Sequence, residues 1–514
     1  MATRQDNRHI SNLVPRSSSV LIVLLIFTCM VQSATYGYDG SMMNGLNILP
    51  SYTDYFHLNT VSIALNTSIV GIGNAVAGLF NGPLCDYLGR KKTLFYASCI
   101  TIIGVAIQSA AQNIGMFIAG RFIIGFGVGI SCTASPTYLS ECVPAKWRAF
   151  TLGMYYDFWY VGALIAAGIT YGTAEMDSTW AWRTPSIVQG VFSIICLVIL
   201  PFVPESPRWL VHKGRNQESL EGLAATHSNG DTTDAEVQTQ FDEIKCAIEW
   251  EKNQGEKLTM FETVRTPSNR KRMMLAFSVA IFSMMSGNNI ISYYLGDMLD
   301  NAGVTNTTTQ LEINIILNCF CLVVSIIGSL YAERLGRRFL AISSTTLLTI
   351  FIFIIGALTK IYGGSTNMSG IYGTVASIFL FQGSYSFGWT PLSVMYPPEV
   401  LHFSIRANGM GLYTFVASTF GLLATFAFPI GLEKIGWKIY MINGVWDVIE
   451  LLFVIFFWVE TKGKTLEEID ELFDGVNRRD ARDLALLEKN AGEPIDGEEV
   501  FETQVVMPSK KDSM

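Results

Sequence analysis

The chain has 514 residues, of which 50% are hydrophobic and only 15% charged, with a formal net charge of −8 and a mean hydropathy of +0.35. Soluble domains carry about one quarter charged residues, so this composition excludes a string of ordinary globular domains and fits a chain whose surface faces lipid. No basic stripe with interleaved aromatics points to nucleic acid. No nucleophile, metal or cofactor constellation points to an enzyme, so no catalytic residue, metal or cofactor is expected.

The chain opens on a polar tail, and an apolar run begins at Val20. That run is too long for the apolar core of a signal peptide, and it reads as a first span retained in the mature protein. A bilayer core takes about 20 apolar residues per helix. Twelve stretches qualify: 20–38, 61–84, 93–111, 116–135, 150–172, 185–203, 273–295, 311–332, 339–362, 371–396, 409–430 and 437–459. The expected fold class is all-α, a polytopic membrane protein of 12 transmembrane helices in two six-helix halves. The expected parts are an N-terminal tail (1–19), an N-terminal half (20–203), a central loop (204–272), a C-terminal half (273–459) and a C-terminal tail (460–514).

Lys and Arg concentrate in cytoplasmic loops. With both termini cytoplasmic, only Arg183, Lys360, Lys434 and Lys438 fall in outside loops or at the outer ends of spans, and only Arg121 falls inside a span away from its ends. The sequons at Asn306 and Asn367 then lie outside as candidate glycosylation sites. Asn66 also heads a sequon but sits too close to span 2. The nine Cys fall in spans or on the cytoplasmic side, so no disulfide framework is implied. In the central loop Phe241, Ile244 and Ile248 recur at helical spacing, which predicts short amphipathic helices under the membrane domain. The tail predicts a short helix near 465–473 and disorder beyond.

Two motifs recur in matching places. Loop 2–3 reads GPLCDYLGRKK, with Asp86, Gly89, Arg90 and Lys91; loop 8–9 reads GSLYAERLGRR, with Glu333, Arg334, Gly336, Arg337 and Arg338. Glu141 and Arg148 in loop 4–5 are echoed by Glu399 and Arg406 in loop 10–11, each pair seven positions apart. The halves end on VPESPRWL and VETKGKTLEE. This is internal repetition on the scale of a whole half.

On these motifs, together with YGYDGS (36–41), GRFIIGFGVG (120–129), PESPRWL (204–210), SGNNIISYYL (286–295) and ETKGKTLEE (460–468), the chain resembles the sugar porter family of the major facilitator superfamily. The resemblance covers residues 15–475. The SGNN…SYYL wording is most similar to the fungal lactose-permease-type branch, alongside fungal hexose-transporter-like proteins, and implies a fungal host. It implies that Asp39 takes up and releases a proton and that Arg121, by proximity, sets its proton affinity. It also implies that Asp86, Arg90, Glu141, Arg148, Glu205, Arg208, Glu333, Arg337, Glu399, Arg406 and Glu460 form cytoplasmic ion-pair clusters that latch the two halves when the site faces outward. The bland alternatives are a structural ion pair and snorkelling basic residues.

Sugar sites combine amides with aromatic faces. Hexose porters place two Gln where this chain has Ser283 and Met284, a Gln where it has Tyr156, and a Trp where it has Val394. The remaining substrate-binding candidates are Asn288, Asn289, Tyr293, Tyr294, Asn318, Tyr156, Asp157 and Trp389, with Asn74 and Gln382 as further cavity residues. Asp447 and Glu450 in span 12 read as packing groups. The depleted amides point to a larger, less hydroxylated solute. Three functions stay open: a proton-coupled importer of a sugar, disaccharide or glycoside; a transporter, in either direction, of a non-sugar metabolite; and a non-transporting sensor. The expected partners are the solute, protons and the lipid bilayer of the plasma membrane, with the chain acting as a monomer.

Overall fold

The structure, a computed structural model, describes residues 10–11, 13–253, 266–363, 367–401 and 403–462, with Ile469 and Phe473. The chain divides into a unit Met1–Gly463, which holds every helix named below, and a unit Lys464–Met514. The predicted helix near 465–473 lies almost wholly outside the described residues.

In chain order the helices are α1 (Ser18–Ile48), α2 (Pro50–Thr53), α3 (Thr60–Leu88), α4 (Arg90–Ser109), α5 (Ile114–Cys142), α6 (Ala145–Thr173), α7 (Trp180–Ile199), α8 (Pro207–His212), α9 (Asn216–His227), α10 (Ala235–Asn253), α11 (Pro267–Met285), α12 (Asn288–Ala302), α13 (Thr307–Leu335), α14 (Arg337–Tyr362), α15 (Met368–Val400), α16 (Phe403–Ile435) and α17 (Lys438–Phe457). No strand occurs among the described residues. Large apolar side chains such as Val23, Phe80, Ile103, Val198, Val323 and Phe456 stand exposed, as a lipid-facing surface requires.

Each predicted span falls on a helix, and ten helices among the described residues are long and apolar enough to cross a membrane. The other two predicted spans fall on α6 and α15, of 29 and 33 residues. These carry polar residues and, in α15, prolines: α6 has Asp157, and α15 has Gln382, Ser384, Ser386, Pro391, Pro397 and Pro398. Two predicted boundaries change. Helix α1 continues to Ile48, so Asp39 lies inside the helix and not at its outer end. Span 7 is two helices, α11 and α12, broken where Gly287 adopts φ 86°. At that break the Asn289 amide donates to the Met284 carbonyl at 2.9 Å, covering an acceptor that the end of α11 leaves open.

Helices α1 and α3–α7 pack as one half, and α11–α17 as the other. The halves meet where α3 lies on α16, α6 on α13 and α15, and α1 on α12. Of the central-loop helices, α9 and α10 share a small apolar core of Leu223, Ala224 and Val237 with Phe241 and Ile244. The foot of α1 is tied to the α9 end: Ser18 Oγ donates to the Ala225 carbonyl at 2.9 Å and accepts from the Asn229 amide at 2.7 Å.

Candidate functional site: a buried ion pair beside a central cavity

Asp39 and Arg121 meet inside the N-terminal half. Arg121 Nη1 and Nη2 reach the two Asp39 oxygens at 3.1 and 3.2 Å, a two-pronged contact suited to a planar guanidinium. Arg121 Nε donates to the Asn66 carbonyl at 2.8 Å, and Gln189 Nε2 donates to Asp39 Oδ1 at 2.8 Å. Arg121 is 0% exposed and Asp39 2%. Water is thus largely excluded, and each charge depends on the other. Asn66 is itself buried, which agrees with leaving its sequon aside.

On the other side of α1, from Ser41, the wall of a central cavity begins. The cavity is narrow and is lined from the N-terminal half by Ser41, Asn44, Trp159 and Tyr160. From the C-terminal half come Ile291, Ser292, Asn314, Leu317, Asn318, Cys321 and Gln382. The amides form a network across the halves: Asn44 Nδ2 donates to Asn314 Oδ1 at 3.3 Å, Asn318 Nδ2 donates to the same oxygen at 3.0 Å, and Gln382 Nε2 donates to Asn288 Oδ1 at 2.7 Å. Asn314 Nδ2 and Gln382 Oε1 are buried without a partner, one donor and one acceptor left over at the cavity wall. No charged side chain lines the cavity among the described residues, so the site suits a neutral, hydrogen-bonding solute.

The substrate candidates scatter. Asn318 and Gln382 line the cavity, and Asn288 is held by Gln382. Tyr293 stands beside Gly40, next to Asp39. Asn289 is occupied at the α11–α12 break, and Tyr294 donates to the Thr425 carbonyl at 2.7 Å on α16, away from the cavity. Trp389 is fully buried against Phe282 and Trp458, with its indole N–H on Thr345 Oγ1 at 3.2 Å, inside the C-terminal half. Tyr156 and Asp157 lie on α6 outside the cavity wall, where Asp157 Oδ1 accepts from Ser329 at 3.2 Å. Asn74 packs at Gly129 of α5. Asp447 and Glu450 are fully buried on α17, Asp447 accepting from Asn443 at 3.1 Å. Ser41, Asn44, Trp159, Tyr160 and Asn314 were not among the candidates. Asn314 alone gave a signal, a polar residue within the apolar run 311–332; Asn44 lies past the predicted end of span 1. The expected shortage of amides is a shift of position, because α1, α13 and α15 supply them.

The repeated charges form two matching clamps. In the N-terminal half, Arg90 Nη2 meets Glu141 at 3.0 Å, and Nη1 meets the exposed Asp86 at 3.4 Å. Glu205 Oε1 accepts the backbone N–H of Arg90 at 2.9 Å and of Lys91 at 3.1 Å. In the C-terminal half, Arg337 Nη2 meets Glu399 at 2.7 Å, while Glu460 accepts the N–H of Arg337 at 2.8 Å and of Arg338 at 3.0 Å. Ser206 donates to Glu141 as Thr461 does to Glu399, and Tyr138 donates to the Pro204 carbonyl as Tyr396 does to that of Val459. Each acid sits over the first amides of a helix, where the dipole favours an anion. Gly89 and Gly336 both take φ 92° at these turns, and a Cβ on either would press on the clamping carboxylate. Each clamp closes within its own half; none of its described contacts bridges the halves as the latch expectation had it. The side chains of Arg148, Glu333 and Arg406 lie outside the described residues, and Arg208 follows Pro207 at the start of α8. Burial pushes the Glu205 carboxyl above the usual range, against the opposing pull of the Ser206, Lys91 and Arg90 amides.

Asn306 and Asn367 are both exposed and cap the starts of α13 and α15, at the end of the bundle opposite the clamps.

Two repeated helical halves enclosing a neutral polar cavity define a polytopic membrane transporter of the major facilitator fold. The family model for sugar (and other) transporters matches residues 25–473, and the chain belongs to that family. A high-affinity glucose transporter of Kluyveromyces lactis is 29% identical over 475 residues, covering 88% of this chain and 85% of the relative. An MFS glucose transporter of Aspergillus flavus is 30% identical over 470 residues, covering 85% and 87%. Among solved structures, the proton:xylose symporter XylE bound to 6-bromo-6-deoxy-D-glucose is similar with a TM-score of 0.75 at 21% identity, covering 89% of this chain and 100% of that one.

Proposed function

We propose that this protein is a proton-coupled transporter that moves a neutral, hydroxylated solute (a sugar, disaccharide or glycoside) across the plasma membrane by alternating access. The observation that carries the reading is the position of the Asp39–Arg121 pair, two residues along α1 from Ser41 in the cavity wall. A proton on Asp39 cancels one partner of a buried pair, so it changes the packing of α1 against α5 and α7 on the same helix that carries Ser41 and Asn44 into the cavity wall. The two clamps keep each half rigid while the contacts between halves rearrange. With both termini cytoplasmic, the clamps face the cytoplasm. Glucose, the solute named for two relatives, belongs in the first test set.

A second reading, a carrier of a less polar metabolite, has its own observation. Ser283 and Met284 stand where hexose porters carry Gln, and Ile291, Leu317 and Cys321 make part of the wall apolar. Radiolabelled uptake in a transporter-deficient yeast, with glucose, lactose, cellobiose and a β-glucoside, decides. Accumulation that a protonophore abolishes supports the symporter. No uptake of any of the four, with the protein at the cell surface, overturns it in favour of the second reading.

A further inference from the structure

Asp157 sits where α6 of the N-terminal half crosses α13 of the C-terminal half. It is 1% exposed. One oxygen accepts from Ser329 across the seam at 3.2 Å, and the other, Oδ2, meets no donor. Ser325, one turn earlier on α13, stands at the same carboxyl. Along the same face of α6, Tyr160 shares a hydrogen bond with Ser386 of α15 at 2.7 Å, and Gly153 lies against Ser329 and Met395.

The titratable groups around the seam are weak acids. They are Tyr156 and Tyr160 on α6, Cys321 on α13, Tyr385 on α15, Tyr413 on α16 and Cys132 on α5, with the Glu450 carboxyl of α17 near Tyr385, away from the α6–α13 contact. From α1 comes Asp39, which is engaged with Arg121 of α5 and accepts from Gln189 of α7. No Lys, Arg or His among the described residues pairs with Asp157. The seam therefore holds one carboxyl without a cation. A dry interface strongly disfavours such a group as an anion, and a proton removes the conflict.

We propose that Asp157 is a second proton-binding site, which holds a proton while the α6–α13 seam is closed and releases it to water when the seam parts. The proposal rests on the alternating-access reading. On closing, the carboxylate takes a proton from water and an O–H bond forms at Oδ2; on parting, that bond breaks and water regains the proton. Asp39 differs, because its partners Arg121 and Gln189 belong to its own half and need not separate when the halves do. By linkage, the closed seam is favoured at low pH and loses that advantage as pH rises, because only the parted state accepts the anion readily.

The test needs no transported solute. Spin labels are placed at Tyr87 and Phe339, exposed beside the two clamps, in the full chain with its cysteines replaced and reconstituted in lipid nanodiscs. The distance distribution is read by electron–electron resonance from about pH 5 to about pH 8, a span over which perturbed carboxyls titrate. The long-distance, parted population should grow with pH in the parent and persist in Asp39→Asn. It should lose its pH dependence in Asp157→Asn, which stays closed. Ser329→Ala, which removes a donor to the anion, should enlarge the parted population at high pH. A parent without pH response overturns the proposal, as does an Asp157→Asn variant that tracks the parent. Should Asp157→Asn fail to fold, a Ser329→Ala response identical to the parent's overturns it. If Asp39→Asn alone removes the response, the seam site falls while the proton role of Asp39 stands.

Discussion

Gly37 of α1 lies directly on the backbone of Trp159 of α6: a Cβ at Gly37 would stand 1.8 Å from the Trp159 carbonyl oxygen. With Gly40, one turn on and also against Trp159, this contact holds that side of α1 on α6, while Asp39 points the other way, to Arg121 and Gln189. Over-packing typically costs about 1–3 kcal/mol; because the clash here is with backbone, Gly37→Ala should lie at or above the upper end. The expected outcome is loss of monodisperse protein on size exclusion. Gly168→Ala and Gly172→Ala, on the same α6 but with nothing within 4 Å, should behave as the parent.

Arg121→Lys should not substitute for the arginine. Lysine cannot reach both Asp39 oxygens and the Asn66 carbonyl together. Breaking a buried pair costs about 3–5 kcal/mol. Thermal unfolding in detergent should show a clear loss for Arg121→Gln, partly recovered in Asp39→Asn/Arg121→Gln, since the double variant leaves no unpaired charge.

Asp39→Asn should still exchange labelled solute across the membrane while failing to accumulate it, and a protonophore should no longer matter. Accumulation at the parental level would show that the proton enters elsewhere.

Glu205 gives a pH-dependent stability with a definite sign. Burial leaves its carboxyl holding a proton more readily than in the unfolded chain. That contribution is present at low pH and is lost as pH rises through the raised folded-state value. The unfolding temperature of the parent minus that of Glu205→Gln should therefore fall between about pH 4 and about pH 7. A rising difference would mean that the helix amides, not burial, govern the group.

Asn314→Ala and Gln382→Ala each remove a polar group from the cavity wall, and losing a buried hydrogen bond to a ligand costs about 1–3 kcal/mol. KM should rise by roughly 5- to 150-fold with little change in thermal stability. Trp389→Phe, deep in the C-terminal half, should do the reverse, lowering the unfolding temperature and sparing KM.

The membrane class and the helix positions were legible because lipid demands long apolar runs. The repeated Gly-Arg turns and the Asp39–Arg121 partnership were legible in the motifs. The end of α1 was not: the stretch from Gly37 to Gly45 is rich in glycine and polar residues and reads as a loop. It is helical because those small residues let α6 approach. Trp389 and Tyr294 were misplaced for a related reason. Polar tips on buried aromatics satisfy a neighbouring helix as readily as a solute, and a sequence does not say which side of the helix faces inward. Of the cavity amides, Asn318 and Gln382 were legible, while Asn44 and Asn314 escaped because they come from opposite sides of the interface and no local spacing links them.

Glu205 lies just past α7 and seals its half by reaching back to the turn before α4. Among the described contacts, the latest residue in the chain to reach that clamp is Trp209, whose indole N–H holds the Asp86 carbonyl. That clamp can therefore close while the rest of the chain is still on the ribosome, whereas the second stays open until Glu460 has emerged. The faces of α1, α3 and α6 that lie on the other half are covered only later, so order of synthesis sets the order in which the two clamps close.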